Sequence, residues 1–234
     1  VDEAVRRLLR VKLRLGLFER PYVDADAAPL AFDTGEDRTL ARELAVRSLV
    51  LLKNEGDALP LSPETGRIAV VGPCADSIRV LQGDYHYPAH LEIVFGRIDE
   101  HAPAPAPGGR RSSAAKAVDL AEHFPPMTSI LEGIRAAVSP DAVVSFDPGC
   151  EIDSDSTEGF SEAVSAARAA DVAIVVAGGR SGLVEGCTSG ESIDRCTLDL
   201  PGAQQQLVDA VLDTGTPTVV VLVDGRPLAL PRLA

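Results

Sequence analysis

The stretch "DVAIVVAGG", residues 171–179, decides the fold of this chain. Six consecutive apolar residues, four of them β-branched, follow its aspartate, and two glycines end the run. A short apolar run bounded by turn residues is typical of a strand that is buried on both faces of a sheet. The segment directly before it, "FSEAVSAARAA" (160–170), has a helical pattern, so a helix leads into this buried strand.

The same alternation extends in both directions along the chain. Further helices are predicted over about 1–18, 36–48 and 202–215. Further strands are predicted over 48–53 ("SLVLLK"), 67–73 ("RIAVVGP"), 142–149 ("AVVSFDPG") and 216–225 ("TPTVVVLVDG"), and a turn at 54–56 ("NEG") follows the first of these. Alternating helices and apolar strands predict an α/β fold with a mainly parallel sheet and helices on both faces. Ligands of such sheets bind at the carboxyl ends of the strands.

One segment interrupts this alternation. Between about residues 88 and 127 the chain contains "HAPAPAPGGRRSSAAKA", which is rich in Pro, Ala, Gly and Ser. This composition buries little apolar surface, so we expect a loop-rich insertion on the protein surface. Order resumes at "MTSILEGIRAAV" (127–138), where Ser129 and Glu132 have the spacing of a capping box.

Composition and charge exclude several classes of function. Hydrophobic residues make up 45% of the 234 residues and aromatic residues only 4%, so the core is aliphatic. The net charge of −13 repels phosphate backbones and anionic lipids, and we therefore expect neither nucleic acid nor a membrane surface as partner. No apolar stretch approaches the roughly 20 residues of a membrane span.

The four cysteines point to neither a disulfide framework nor a metal site. They are Cys74, Cys150, Cys187 and Cys196, and no CxxC pair or Cys/His cluster occurs. This pattern predicts no structural zinc. Whether Cys187 and Cys196 pair is left open by the sequence. Scattered thiols favour a reducing compartment such as the cytoplasm. Because the chain begins without Met, the localisation stays undetermined.

The candidate site is the loop "GCTSGESIDRCTLDLPG", residues 186–202, just beyond the carboxyl end of the run at 171–179. Glu191 lies between Gly190 and Ser192 and is the candidate for a general acid, which requires a carboxyl group that reaches into a cleft. In the competing interpretation the segment only orders the next turn, with an ion pair between Asp194 and Arg195. From the spacing alone that structural interpretation is favoured.

Other chemistries lack their motifs. "VVGPCAD" (70–76) and "VAGGRSG" (176–182) lack both GxGxxG and the P-loop lysine, so nucleotide binding is not indicated. No GxSxG element is present, and the four histidines all lie between residues 86 and 123, away from the predicted strands. We therefore expect neither a Ser-His-Asp triad nor a cofactor.

Several long segments resemble glycoside hydrolase family 3, in the order that the family has them. Residues 178–228, "GGRSGLVEGCTSGESIDRCTLDLPGAQQQLVDAVLDTGTPTVVVLVDGRPL", resemble its second domain. "VRRLLRVKLRLGLFERPYVD" (5–24) resembles the end of its first domain, a (β/α)8-type barrel. The stretches "ARELAVRSLVLLKNEGDALPLSP" (41–63), "RIAVVGPCADS" (67–77) and "LQGDYHYP" (81–88) resemble the connection into the second domain.

The resemblance implies a domain organisation. Residues 1–35 would be the end of the barrel with a linker, and residues 36–234 the α/β sandwich of the second domain. That sandwich has a six-stranded, mainly parallel sheet between helices, and it would be incomplete at the C-terminus of this chain. The chain would pack on its own barrel domain.

The resemblance also implies an activity. Most family members are exo-acting β-glucosidases or β-xylosidases that retain anomeric configuration, and this mechanism needs two carboxyl groups roughly 5 Å apart. The nucleophile is an aspartate of the barrel, which is not in this chain. Glu191 in "TSGESIDR" matches the acid/base glutamate of the pattern SGEGxDR, with Ser192 in place of a glycine and the loop correspondingly stiffer. The isolated chain is therefore expected to be inactive.

Further site residues follow from this match. Arg180, Ser189, Asp194 and Arg195 are expected to bind substrate or order the loop. Glu185 is the second-choice carboxylate, because it lacks the flanking glycine and the Asp-Arg pair that follows. Two positions depart from the family pattern: Cys74 stands in place of the Asn in GPNAD, and Gly179 in place of the Asp in GDRSG.

Two other functions compete with a β-glucosidase or β-xylosidase. One is a non-catalytic carbohydrate-binding or scaffolding module with the same fold. The other is an N-acetylglucosaminidase of the same family, a branch that often draws its acid/base from the barrel. The intact "SGE" and "DR" elements around Glu191 argue against that branch.

Overall fold

The computed structural model describes residues 1–95 and 126–229. The described chain divides into two compact units, Val1–Leu52 and the residues from Lys53 onward. Residues 96–125 lie outside the described part, so most of the loop-rich insertion expected at 88–127 does as well. Its first part is not a loop, because Tyr87–Phe95 form a helix.

The first unit contains two helices, α1 (Asp2–Arg14) and α2 (Gly35–Ser48). Acidic side chains in the first turn of α1 and basic ones in its last turn match the helix dipole. The hydroxyl of Thr34 accepts a hydrogen bond from the Asp37 amide, and the Asp37 carboxylate accepts one from the Thr34 amide, so a capping box begins α2.

The strand predicted at 48–53 is wrong, whereas the turn predicted at 54–56 coincides with a short helical turn at Glu55–Asp57. Residues 49–52 have no regular structure, and all four side chains are exposed, from 67% for Leu51 to 77% for Leu49 and Leu52. The apolar run predicted burial, but a strand also needs a neighbour for its backbone hydrogen bonds. Among the described residues, these four positions pair with none of the strands.

The second unit is built on a parallel sheet, which confirms the predicted α/β fold. The described residues form four strands, β1 (Arg67–Val71), β2 (Val143–Asp147), β3 (Val172–Gly178) and β4 (Thr218–Val223). Their order is β2-β1-β3-β4, with every neighbouring pair parallel. Six strands were expected from the resemblance, and four are traced within residues 1–95 and 126–229.

Helices cover both faces of this sheet. Besides α3 (Tyr87–Phe95), the unit contains α4 (Ile130–Ala137), α5 (Phe160–Arg168) and α6 (Gln204–Leu212). Side chains of β3 alternate between two cores. Ala173, Val175 and Ala177 pack with residues of α5 and α6, whereas Ile174 and Val176 pack with Leu131 of α4. This period of two is what a strand buried on both faces requires.

The predicted capping box and two of the predicted helices are confirmed. The Ser129 hydroxyl accepts a hydrogen bond from the Glu132 amide at 3.1 Å, and Glu132 Oε2 accepts one from the Ser129 amide at 2.8 Å, so the capping box begins α4. The helices predicted at 160–170 and 202–215 lie at 160–168 and 204–212.

A buried glutamine fixes the end of β3. Gln204 is fully buried, its Oε1 accepts a hydrogen bond from the Gly178 amide at 2.8 Å, and its Nε2 donates to the Gly178 carbonyl at 2.8 Å. Both backbone groups of the last residue of β3 are thereby held by the first residue of α6. The candidate loop thus leaves the sheet from a rigid point.

None of the helices within residues 1–95 and 126–229 combines the length and apolar character needed to cross a bilayer. The expectation that neither nucleic acid nor a membrane surface is a partner stays a prediction.

Candidate functional site

The candidate site is built on the loop of residues 180–193, which follows β3 and folds back on itself. The Thr188 amide donates to the Arg180 carbonyl at 2.8 Å, and the Arg180 amide donates to Thr188 Oγ1 at 2.9 Å. The Gly182 amide donates to the Ser189 carbonyl at 3.0 Å. The returning segment is therefore fastened to the outgoing one immediately before Glu191.

The backbone on both sides of Glu191 is left-handed. Gly190 has a φ of +140°, and a Cβ at this position would collide with the Gly182 carbonyl oxygen. Ser192 has a φ of +63°, which is unfavourable for a residue with a side chain. The family pattern has glycine at both positions, and the φ values give the physical reason.

Glu191 is exposed at the turn of this loop. Its Oε2 accepts a hydrogen bond from the Tyr85 hydroxyl at 3.2 Å. The negative charge of Glu191, together with this hydrogen bond, raises the pKa of Tyr85. Tyr85 immediately precedes His86 and α3, and sequence reasoning missed its role. Its place in "LQGDYHYP", a motif quoted for the resemblance, was the available signal.

Arg180, predicted as a binding or loop-ordering residue, is buried, and its side chain points into the interior of the second unit. Its Nη2 donates to Glu92 Oε1. Arg79 binds the same carboxylate, with Nε 3.2 Å from Oε1 and Nη2 2.9 Å from Oε2. Burial alone would raise the pKa of Glu92, but the hydrogen bonds and charges of the two arginines hold it below its usual value.

Glu92 and Arg79 were not found from the sequence. Neither residue belongs to a recognisable motif, and Glu92 lies in the segment that was predicted to be a loop. His86 lies beside the same cluster. Burial and the charge of Arg79 lower the pKa of His86, so its imidazole is neutral near pH 7.

The remaining predicted residues lie around the loop. Ser189 is buried and belongs to the fastened segment. Asp194 pairs with Arg226, whose hydrogen bond and charge lower the pKa of Asp194. Nη1 of Arg195 lies 3.5 Å from Oδ1 of Asp153. The considered ion pair between Asp194 and Arg195 is therefore wrong, because each side chain binds a residue elsewhere in the chain.

Glu185, the second-choice carboxylate, is exposed on the outer turn of the same loop. The bridge between Ser181 and Ser189 closes the loop on the far side of this turn. Glu185 and Glu191 thus occupy different parts of one loop, and a pair of single variants can distinguish between them.

A cavity of about 540 Å³ opens beside the loop, at the carboxyl ends of β3 and β4. Its polar wall includes Ser181, whose hydroxyl donates to Asp84 Oδ1 at 3.1 Å. Asp224, the first residue after β4, also lines it, and burial raises the pKa of this carboxyl group. The cavity is adjacent to Gly190 and therefore to the turn that carries Glu191.

The departure at Gly179 has a structural counterpart. A Cβ at residue 179 would lie 2.7 Å from Asp224 Oδ2 and 2.5 Å from Thr188 Oγ1. Asp224 thus takes the space into which a side chain at 179 would project.

Cys74, the other position that departs from the family pattern, carries a thiol that stays protonated. Burial raises the pKa of Cys74 to about 12 and that of Cys150 to about 11. All four cysteines are free thiols, with Cys187 buried and Cys196 exposed.

In the part of the chain that the structure describes, no three His, Cys, Asp or Glu side chains are grouped as metal ligands.

Comparison with known proteins places this geometry in a family context. Residues 49–234 match the model of the glycosyl hydrolase family 3 C-terminal domain. A β-xylosidase of Formosa agariphila is 34% identical over 236 residues, covering 100% of this chain. A periplasmic β-glucosidase of Salmonella typhimurium is 33% identical over 243 residues, covering 99%. The chain spans 28% of the length of each of these relatives.

Solved structures agree with this comparison. The β-glucosidase of Listeria innocua in complex with isofagomine is 29% identical with a TM-score of 0.70, over 99% of this chain and 26% of that protein. A β-glucosidase involved in saponin metabolism from intestinal bacteria is 27% identical with a TM-score of 0.71, over 98% of this chain and 30% of that protein.

Proposed function

Because the chain belongs to glycosyl hydrolase family 3, we propose that it forms part of a retaining, exo-acting β-glycosidase whose general acid/base is Glu191. The substrate is a glycoside or oligosaccharide with a terminal β-linked sugar. The names of the similar proteins, β-xylosidase and β-glucosidase, support a glucoside or a xyloside.

The observation that carries this proposal is the presentation of Glu191. Its carboxyl group is exposed at a turn, while the loop beneath it is fastened by backbone hydrogen bonds to the residues that leave β3. A carboxyl group that meets a substrate and a second carboxylate from another domain must be accessible and held in one direction. Glu191 has both properties.

Glu191 acts twice in the proposed reaction. As an acid it donates a proton to the glycosidic oxygen while an aspartate nucleophile attacks the anomeric carbon. As a base it then removes a proton from the water that hydrolyses the glycosyl–enzyme intermediate. After the first step Glu191 is a carboxylate, and the Tyr85 hydroxyl, 3.2 Å from Oε2, donates a hydrogen bond to that charge.

The proposal includes a second domain. Residues 1–35 form the end of a barrel and a linker, and residues 36–234 belong to the sandwich. The barrel supplies the aspartate nucleophile and most of the sugar-binding residues, and it packs against the sandwich. The share of 28% that the chain covers in its relatives supports a longer enzyme. The 234-residue chain alone is therefore expected not to turn over an aryl β-glucoside.

The test is Glu191→Gln in the full-length enzyme, assayed on two substrates. Glycosides with a poor leaving group need protonation, so their kcat/KM is expected to fall by about 10²–10⁴. Activated aryl glycosides need no proton in the glycosylation step, so the kcat/KM for them should change much less.

Glu185→Gln is the matched variant, since it removes the second exposed carboxyl of the same loop. We expect it to leave both substrates unaffected. If Glu185→Gln lowers kcat/KM for poor leaving groups and Glu191→Gln does not, the acid/base is Glu185. Unchanged kinetics for both variants would favour the non-catalytic, carbohydrate-binding alternative.

A further inference from the structure

Three charged side chains form a buried cluster behind the loop of residues 180–193. They are Arg79, Glu92 and Arg180, with side-chain exposures of 1%, 0% and 5%. Each comes from a different part of the second unit: Arg79 from a short turn after β1, Glu92 from α3, and Arg180 from the loop itself. The cluster therefore connects three segments that converge at the carboxyl edge of the sheet.

Glu92 is what keeps Arg180 inside. A buried cation is costly unless an opposite charge and hydrogen bonds compensate it. Within residues 1–95 and 126–229, Nε of Arg180 has no hydrogen-bond partner, while Nη2 donates to Glu92. Without the carboxylate of Glu92, the two buried guanidinium groups would repel each other.

The backbone of Arg180 is also the point at which the loop is closed. Its amide donates to Thr188 Oγ1 at 2.9 Å, and its carbonyl accepts the amides of Thr188 at 2.8 Å and Ser189 at 3.4 Å. Ser189 precedes Glu191 by two residues. Holding the Arg180 side chain thus holds the backbone from which Glu191 projects.

Glu92 is also connected along the chain to Tyr85, the hydrogen-bond donor of Glu191. Tyr85 lies just before α3, the helix that carries Glu92. The first turn of this helix is capped by His86 Nδ1, which accepts the Ala89 amide at 3.2 Å. One carboxylate therefore links the segment that presents Tyr85 to the loop that presents Glu191.

We propose that Glu92 is a positioning residue for Glu191, which clamps the base of the loop through Arg180. This inference rests on the proposed acid/base role of Glu191. Glu92 itself is fully buried and does not reach the reacting atoms.

The main test variant is Arg180→Met in the full-length enzyme. It removes the clamp but leaves Arg79 and Glu92 as a one-to-one pair with both of their hydrogen bonds. Met has a similar volume and no charge, so folding is expected to persist. Amide hydrogen exchange of the peptide around residues 186–195 should become roughly tenfold faster. For glycosides with a poor leaving group, kcat/KM should fall on the order of tenfold or more.

Two further variants complete the experiment. Glu92→Gln leaves two buried cations without a counter-charge, so it should loosen the same peptide and lower Tm. Arg67→Met is the control, because the pair of Arg67 with Asp171 lies at the amino end of the sheet, away from the loop. It should leave both the exchange of residues 186–195 and the kinetics as they are.

The two readouts separate this inference from the proposed function. Faster exchange in Arg180→Met with no substrate-dependent effect of Glu191→Gln would retain the clamp and reject the acid/base assignment. Wild-type exchange and wild-type kinetics in Arg180→Met, with Glu191→Gln impaired as expected, would overturn the positioning role alone.

Discussion

The Tyr85 hydroxyl lies 3.2 Å from Oε2 of Glu191, although 106 positions separate the two residues. The donor comes from the segment before α3 and the acceptor from the loop after β3, and both segments lie at the carboxyl edge of one parallel sheet. The carboxylate charge of Glu191 disfavours the ionised form of Tyr85 at this distance.

The first prediction concerns the titration of Tyr85. The negative charge of Glu191, and the hydrogen bond to it, raise the pKa of Tyr85 above its usual 10.0. Glu191→Gln removes that charge, so the pKa of Tyr85 should move back down. Absorbance of the tyrosinate near 295 nm, recorded against pH, measures the change.

Tyr85→Phe identifies the signal, because the affected titration must disappear in that variant. Tyr22→Phe removes a tyrosine of the other unit and serves as control. If the tyrosine titration of Glu191→Gln coincides with that of the parent protein, the contact between Tyr85 and Glu191 is not present in solution.

The second prediction concerns the backbone beside Glu191. Ser192 has a φ of +63°, which costs a non-glycine residue on the order of 1 kcal/mol. Ser192→Gly relieves this cost, although the glycine adds entropy to the unfolded chain. We expect stability within about 1 kcal/mol of the parent, measured by denaturant unfolding.

Gly190→Ala is the contrasting variant at the other side of the same turn. Its Cβ would collide with the Gly182 carbonyl oxygen at a φ of +140°, so the loop cannot close as it does now. We expect a loss of roughly 2 kcal/mol or more, together with impaired turnover of poorly activated glycosides. Equal stability of Gly190→Ala and the parent would contradict the described turn.

Local elements of the fold could be predicted from the sequence, whereas strand pairing could not. The strand at 171–179 was predictable because it is a continuous apolar run that ends in glycines, which is a local property of the sequence. The capping box of Ser129 and Glu132 was predictable for the same reason. Leu49–Leu52 were mistaken for a strand because hydrophobicity does not specify a pairing partner.

Contacts at the site are long-range, and this limits prediction from the residues alone. Glu191 was singled out by its flanking residues and the resemblance, whereas the contacts of Glu92 are with Arg79 and Arg180, which lie 13 and 88 positions away. Asp224 stands beside Gly179 only because β3 and β4 are parallel neighbours in register. No local sequence pattern predicts that residues 179 and 224 are in contact.

The third prediction concerns the thiols. Cys196 is exposed, whereas Cys74 and Cys187 are buried and burial raises the pKa of Cys74 to about 12. The thiolate is the reactive form, so Cys196 should react with a thiol reagent at pH 8 before the other three. Peptide mass spectrometry after a short pulse of iodoacetamide identifies the labelled residue.

Full labelling of the protein in denaturant is the control for this experiment. All four cysteines should then react, since each is a free thiol. A peptide in which Cys187 and Cys196 are linked by a disulfide would contradict the described structure.

The fourth prediction is a pH dependence at Asp224. Burial raises the folded-state pKa of this carboxyl above its usual 3.8, so the folded protein binds the proton more tightly than the unfolded one. The stability gained from this proton is present below pH 3.8 and is lost as pH rises through the folded-state pKa. At pH 7 the charged, partly buried carboxylate therefore destabilises the fold.

Asp224→Asn keeps the shape and the acceptor for the Arg226 amide but carries no charge. We expect a higher Tm than the parent at pH 7 and a difference that vanishes below about pH 4. Asp141→Asn, at an exposed site before β2, is the matched control for the amide substitution. A lower Tm for Asp224→Asn at pH 7 would mean that the charge is stabilised, against the direction stated here.

The last prediction tests whether Gly179 and Asp224 compete for one space. An aspartate at 179, as in the GDRSG pattern, would place its Cβ 2.7 Å from Asp224 Oδ2 and bring two carboxylates together. Overpacking and like charge should make Gly179→Asp less stable by about 2–4 kcal/mol. Asp224→Ser in the same chain removes the like charge and the clash with Asp224, but a Cβ at 179 still lies 2.5 Å from Thr188 Oγ1, so we expect only part of this loss to be recovered. A double-mutant cycle from denaturant unfolding measures the coupling, and simple additivity of the two single variants would show that the residues do not meet.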